Sequence, residues 1–264
     1  MLKNGVYGIL ILVAAACMSD DGSQYMATPA ELDIPPFFES SILPPEIPRD
    51  NPLTVEGIAL GKALFYDPIL SANNTQSCAS CHLQSGSFTD PNQFSVGIDG
   101  SIGFRNSMPL FNLAWNRRGP FNWDGSAATL EDQIFEPVTN PIEMANTWPN
   151  AVAALQNSGT YPELFDAAFG STAIDSVKVS RAIAQFIRTM ISGNSKFDRY
   201  LNGQEDLTDA EERGMNVFLD ETRGDCFHCH GNPMNPLWTD NRFHNNGLDA
   251  FFSDRGLGAV TGDP

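Results

Sequence analysis

The motif Cys-x-x-Cys-His occurs twice, as Cys78-Ala-Ser-Cys81-His82 and as Cys226-Phe-His-Cys229-His230. No other feature restricts the fold as much. The spacing is that of c-type haem attachment: two thiols bond to the porphyrin edge and the adjacent imidazole turns onto the iron. A zinc ribbon needs its cysteine pairs close in sequence, and 144 residues separate Cys81 from Cys226. A thioredoxin-like redox pair needs no following histidine and sits in a βαβ context that is missing here. The sequence therefore implies two covalent haems, with His82 and His230 as proximal iron ligands. His228, between the second pair of thiols, reads as a spacer. The two sites use four of the five cysteines, so no structural disulfide is expected.

The segments ahead of the motifs repeat a pattern. "LTVEGIALGKALFYD" reads as a helix capped by Thr54, with Ile58, Leu64 and Phe65 on its buried face. "LTDAEERGMNVFLD" reads as a helix with Thr208 and Glu211 as a capping box, then Met215, Phe218 and Leu219. Gly61-x-x-x-Phe65 matches Gly214-x-x-x-Phe218. A glycine at this place lets a first helix cross a last helix closely. Between the two units, Val179, Ile183, Phe186, Ile187 and Met190 form one helical face, expected to belong to the closing helix of the first domain. No strand pattern is evident. The expectation is a mainly α chain of two cytochrome c-like domains with long loops, residues 51–202 and 203–264. The second has no closing helix and no sixth ligand for its haem before "GLGAVTGDP", so it reads as truncated at the C-terminus.

Composition bears on location and partners. Lys3 followed by "GVYGILILVAAAC" reads as an export signal over residues 1–17, too short to span a bilayer. Cys17 reads as a lipid attachment site after cleavage; the alternative is an ordinary signal peptide that removes it. Either way the protein leaves the cytoplasm. Residues 18–50, rich in Pro, Asp and Ser, read as a tether and extended segment. The net charge of −17 is spread along the chain. That argues against nucleic acid, whose phosphates need clustered Lys and Arg, and is compatible with a basic protein partner.

The four histidines are His82, His228, His230 and His244, so no histidine between the two motifs can close the first haem. Met108 is a candidate sixth ligand, though a methionine there is more often core. The simplest reading is a five-coordinate iron open to a small oxidant such as peroxide. "FNWDGSAATLEDQIFEPVTNPIEM" offers Trp123, Asp124, Gln133 and Glu143 as groups beside it.

With its "DNPLTVEGIALGKALFYDPILSANNTQSCASCH", "GFRNSMPLFNLAW", "FNWDGSA", "NPIEM", "CFHCH" and "FHNNGL" motifs, the chain resembles the bacterial di-haem cytochrome c peroxidases, including their relatives that mature methylamine dehydrogenase. The resemblance implies Glu143 as the distal acid–base group, Gln133 as the distal glutamine, Trp123 between the haems and Asn106 as a calcium ligand. It implies hydrogen peroxide as substrate, a small cytochrome c or copper protein as electron donor, and a periplasmic location; it leaves a homodimer open. A displaceable histidine of the peroxidases, expected before "RNS", is missing from "SVGIDGSIG". This departure matches the relatives that oxidise a protein or organic substrate. A plain di-haem electron carrier is the remaining alternative.

Overall fold

The structure, a computed structural model, describes residues 25–117 and 119–263. The export signal and Cys17 lie outside the described residues. The elements are α1 (Pro36–Ser41), α2 (Val55–Tyr66), α3 (Cys78–Cys81), α4 (Leu130–Thr139), α5 (Trp148–Gln156), α6 (Tyr161–Phe169), α7 (Ser176–Arg188), α8 (Lys196–Leu201), α9 (Asp209–Phe218), α10 (Phe227–His230) and α11 (Leu257–Thr261). Long loops and short 3-10 turns join them. Among the described residues extended pairing is limited to isolated bridges, so the chain is mainly α, as its sequence indicates.

The core forms where α2 crosses α7. Thr54 caps α2 by accepting from the Gly57 N–H, and Asp175 caps α7 by accepting from the Lys178 N–H. Each cap satisfies a backbone donor that the helix itself cannot. Val179, Ile183, Phe186 and Ile187 on α7 and Met190 just past its end are all buried, as are Leu64 and Phe65 on α2, where Ile58 is half-buried. Each such side chain contributes roughly 1.5–3 kcal/mol. Packing, more than intrinsic propensity, therefore holds α7, whose β-branched residues are modest helix formers. The crossing is close because of Gly61: a Cβ there would overlap the Ala182 carbonyl oxygen.

A buried polar network anchors this crossing. Arg188 Nη1 and Nη2 donate to Glu131 Oε1 and Oε2 at 2.6 and 2.9 Å. Asn51 Nδ2 donates to the same Glu131 Oε1 at 2.6 Å, and Gln185 Nε2 donates to Asn51 Oδ1 at 2.9 Å. The Thr54 N–H donates to Gln185 Oε1. One set of side chains thus joins α4, α7 and the entry to α2.

The stretch read as a tether is packed where it is described. Phe38 of α1 is 1% exposed and meets Trp115 edge-on at 5.4 Å between ring centroids. The Ala30 N–H donates to Leu53 O and the Val55 N–H to Thr28 O, so this segment runs alongside the start of α2. Its Pro content suits extended backbone, and the Phe38–Trp115 contact holds it down.

The later unit is looser. α9 has the expected capping box of Thr208 and Glu211, yet none of its residues is fully buried. Where Gly61 is crowded, Gly214 has nothing within 4 Å of a Cβ position.

Candidate functional site

α3 follows α2 after an eleven-residue connection that contains a 3-10 turn at Pro68–Leu70, and it carries the first pair of thiols. The Ser77 side chain and the Ser80 side chain cap its start reciprocally. Beyond a 3-10 turn at Gln84–Gly86, Ser87 and Phe88 both take left-handed backbone conformations, with φ of 62° and 57°. The resulting turn brings the Phe88 carbonyl to His82 Nδ1 at 3.0 Å. A carbonyl can only accept, so Nδ1 carries the proton and Nε2 keeps its lone pair for a metal. Burial holds the His82 pKa below the usual imidazole range, which keeps the ring neutral. Burial also pushes the Cys78 thiol up to about 12 and raises Cys81.

These groups open into a cavity of about 360 Å³ whose wall includes Cys78, Cys81, His82, Trp123, Gln133 and Glu143. The first motif and the three residues expected to serve it are thus brought together, across 65 positions of sequence from Cys78 to Glu143. The donor set, two free thiols beside an oriented neutral imidazole, fits a c-type haem. Buried Gln76 adds a further polar group to the cavity wall. Its Nε2 donates to Val96 O at 2.7 Å and contacts Cys81 Sγ at 3.4 Å, while its Oε1 has no partner.

Gln133 and Glu143 reach the cavity from α4 and the turn that ends it. Pro137 removes a donor near the end of the helix, which stops after Thr139. The chain then folds over Asn140, which accepts at its backbone oxygen from the Glu143 and Ala145 N–H groups. The Asn140 side chain accepts from the Ile142 N–H and donates to Glu143 Oε1 at 2.7 Å. Burial raises the Glu143 carboxyl above the usual range; the Asn140 bond opposes this and the charge of Glu136 adds to it. The Ile98 N–H donates to Glu143 O, so the histidine-free loop lies directly over this turn.

Trp123 is 50% exposed and donates its indole N–H to Asn106 O at 2.7 Å. Asn106 accepts at Oδ1 from the Thr89 hydroxyl and donates Nδ2 to Asp90 O and Asn92 O. Its side chain therefore closes the 89–93 loop. Among the described residues no group of three or more His, Cys, Asp or Glu is gathered as a metal site. Met108, the candidate sixth ligand, is half-buried and lines the same cavity as His82.

The second motif lies on α10. Cys229 and His230 are exposed, and Cys226 is half-buried with its thiol 3.3 Å from Gly224 O. Phe218 sits 6.3 Å from the His230 ring and 5.7 Å from Trp238, centroid to centroid. His228 turns to Asp225 and His244 to Asp240, away from ligand duty. Thiols and imidazole stand in attachment order here too, on a shallower surface.

Phe88, Asn140 and Gln76 have no signal in the sequence. Phe88 acts through its carbonyl, which any residue carries. Asn140 and Gln76 are ordinary polar residues until the turns bring them to Glu143 and Cys81.

Comparison with known proteins identifies the family. The model of the family described as di-haem cytochrome c peroxidase matches residues 55–206. The chain is 35% identical to methylamine utilization protein MauG of Methylophilus methylotrophus, covering 80% of this chain and 62% of that protein. It is 37% identical to cytochrome c peroxidase Ccp of Escherichia coli, covering 70% of this chain and 39% of that protein. Among solved structures, a MauG-like protein associated with microbial copper homeostasis superposes with a TM-score of 0.75 at 34% identity, covering 89% of this chain and 72% of that one. The diheme peroxidase BthA of Burkholderia thailandensis superposes with a TM-score of 0.69 at 26% identity, covering 80% and 62%. The chain spans about three-fifths of the length of the MauG relative and less of Ccp. With the family match over more than half the chain and both haem motifs in place, the protein belongs to the di-haem cytochrome c peroxidase family.

Proposed function

We propose that this protein reduces hydrogen peroxide to water at the first haem site, with electrons delivered through the second. The observation that carries the reading is one cavity holding an oriented His82, a Glu143 whose carboxyl burial raises above the usual range, and Gln133. Haem bound by Cys78, Cys81 and His82, and a second by Cys226, Cys229 and His230, would supply the redox chemistry.

The chain supplies proton movement and position. Asn140 holds Glu143 Oε1, which leaves Oε2 as the atom to exchange a proton. It takes the proton from one peroxide oxygen and returns it to the other, so the O–O bond breaks heterolytically. Gln133 orients the peroxide. Trp123 is assigned to the electron path from the second site. A small cytochrome c or copper protein refills that site, calcium binds at Asn106, and the protein resides in the periplasm with Cys17 as its lipid anchor.

Peroxide turnover of the haem-loaded Glu143→Gln protein tests the reading. A positioned acid–base group contributes about a hundred- to ten-thousand-fold, and turnover should fall by that range with both haems attached. Wild-type turnover in this variant would remove Glu143 from the mechanism. A second reading, oxidation of a protein or organic substrate, is favoured by the histidine-free 95–103 loop and by the MauG relatives. It predicts that no small redox protein sustains peroxide turnover.

A further inference from the structure

Resting on the electron path just assigned, we propose that Arg105 is its positioning residue: one guanidinium holds the Trp123 turn between the first haem cavity and the C-terminal segment. Arg105 Nη1 donates to Asp124 Oδ2 at 2.5 Å. From its other edge, Nε and Nη2 donate to Asp254 Oδ2 and Oδ1 at 2.7 and 2.8 Å. Asp124 directly follows Trp123, and Asn106, which accepts the Trp123 indole N–H, directly follows Arg105. The dipeptides 105–106 and 123–124 are therefore latched twice, once through the indole and once through the ion pair. The third contact ties that latch to a residue 149 positions from Arg105.

The surrounding packing points the same way. Gly125 has a φ of 72°, and a Cβ there would lie 3.0 Å from Leu257 Cδ1 and 3.2 Å from Phe243 Cζ. The turn bearing Trp123 thus meets the C-terminal segment at van der Waals range as well as through charge. Trp123 is 50% exposed and gains little from burial; its own side chain has one hydrogen bond. Its orientation must come from its neighbours. A planar fork can engage two carboxylates along two edges at fixed angles, which a lysine ammonium cannot. Arg105→Lys would keep the charge and lose the geometry.

The test compares haem-loaded wild type with Asp254→Asn, Arg105→Lys and, as a control for loss of an exposed ion pair elsewhere, Arg181→Gln. Arg181 pairs with Asp50 on the outer face. Deuterium exchange is read at residues 119–127 and 250–258, and electron passage between the haems by stopped flow. Asp254→Asn and Arg105→Lys should raise exchange at 119–127 as well as at 250–258. They should slow electron passage by about ten- to a hundred-fold, the scale of a small misplacement, and leave the ferric spectrum of the first haem unchanged. Arg181→Gln should do neither. Exchange at 119–127 that stays at the wild-type level in Asp254→Asn, or electron passage no slower than in the control, overturns the proposal. The exchange measurement uses no peroxide. A wild type that fails to turn over peroxide therefore counts against the peroxidase reading alone.

Discussion

At Glu143, burial and a neighbouring charge work against a single hydrogen bond. Desolvation disfavours the carboxylate, Glu136 repels it, and Asn140 donates to it; the balance lies on the raised side. The acid–base step needs the carboxylate first as base. As pH falls, that form is lost at a higher pH than for an ordinary glutamate. The acid limb of kcat/KM against pH should therefore lie above the usual carboxylate range and vanish in Glu143→Gln. A pH–rate profile of both proteins checks this. The role of Glu143 is legible in sequence only through its resemblance, because a lone glutamate in a loop is ordinarily solvated. Its raised pKa depends on the fold of 137–145 and has no sequence signal.

Among the elements, the α2–α7 crossing is both the most legible and the most testable. Its apolar faces follow helical spacing, and Gly61 marks the contact. Gly61→Ala would drive a methyl into the Ala182 carbonyl, and such overpacking costs about 1–3 kcal/mol. Chemical denaturation of the haem-loaded protein should show that loss. The network under the crossing was not legible, since Asn51, Glu131, Gln185 and Arg188 look like surface residues in sequence. Glu131→Gln would leave the 6%-exposed Arg188 side chain unpaired, at about 3–5 kcal/mol for a broken buried pair. Burial alone would raise the Glu131 carboxyl; the Arg188 hydrogen bonds and charge, with Asn51, outweigh it and hold it low. Its contribution is present above the unfolded carboxylate pKa and lost as pH falls through the lowered folded value. Acid unfolding monitored across that window should flatten in the variant.

On the scale of the molecule, the two motifs predict two covalent haems. Intact mass after acid–acetone extraction should retain both in the wild type and one in a Cys226→Ala, Cys229→Ala double variant. Release of haem from protein made with working attachment machinery would contradict the assignment. The two sites are unequal in the structure. The first lies in a cavity behind the α2–α7 core, and the second lies on an open surface beside Phe218 and Trp238.

Covalent chemistry and periodicity can be read along a chain, because thiol spacing, helix caps and apolar faces are local. By themselves they determined two haem sites, the helices that precede them and the crossing of α2 with α7. Tertiary structure decided which groups on separate turns and elements meet. The Phe88 carbonyl selects the His82 tautomer, Asn140 holds Glu143, α1 docks through Phe38, and Arg105 joins Asp124 to Asp254. The Phe88 carbonyl is a group any residue carries and the others are ordinary side chains in sequence, so only their meeting in space gives them a role.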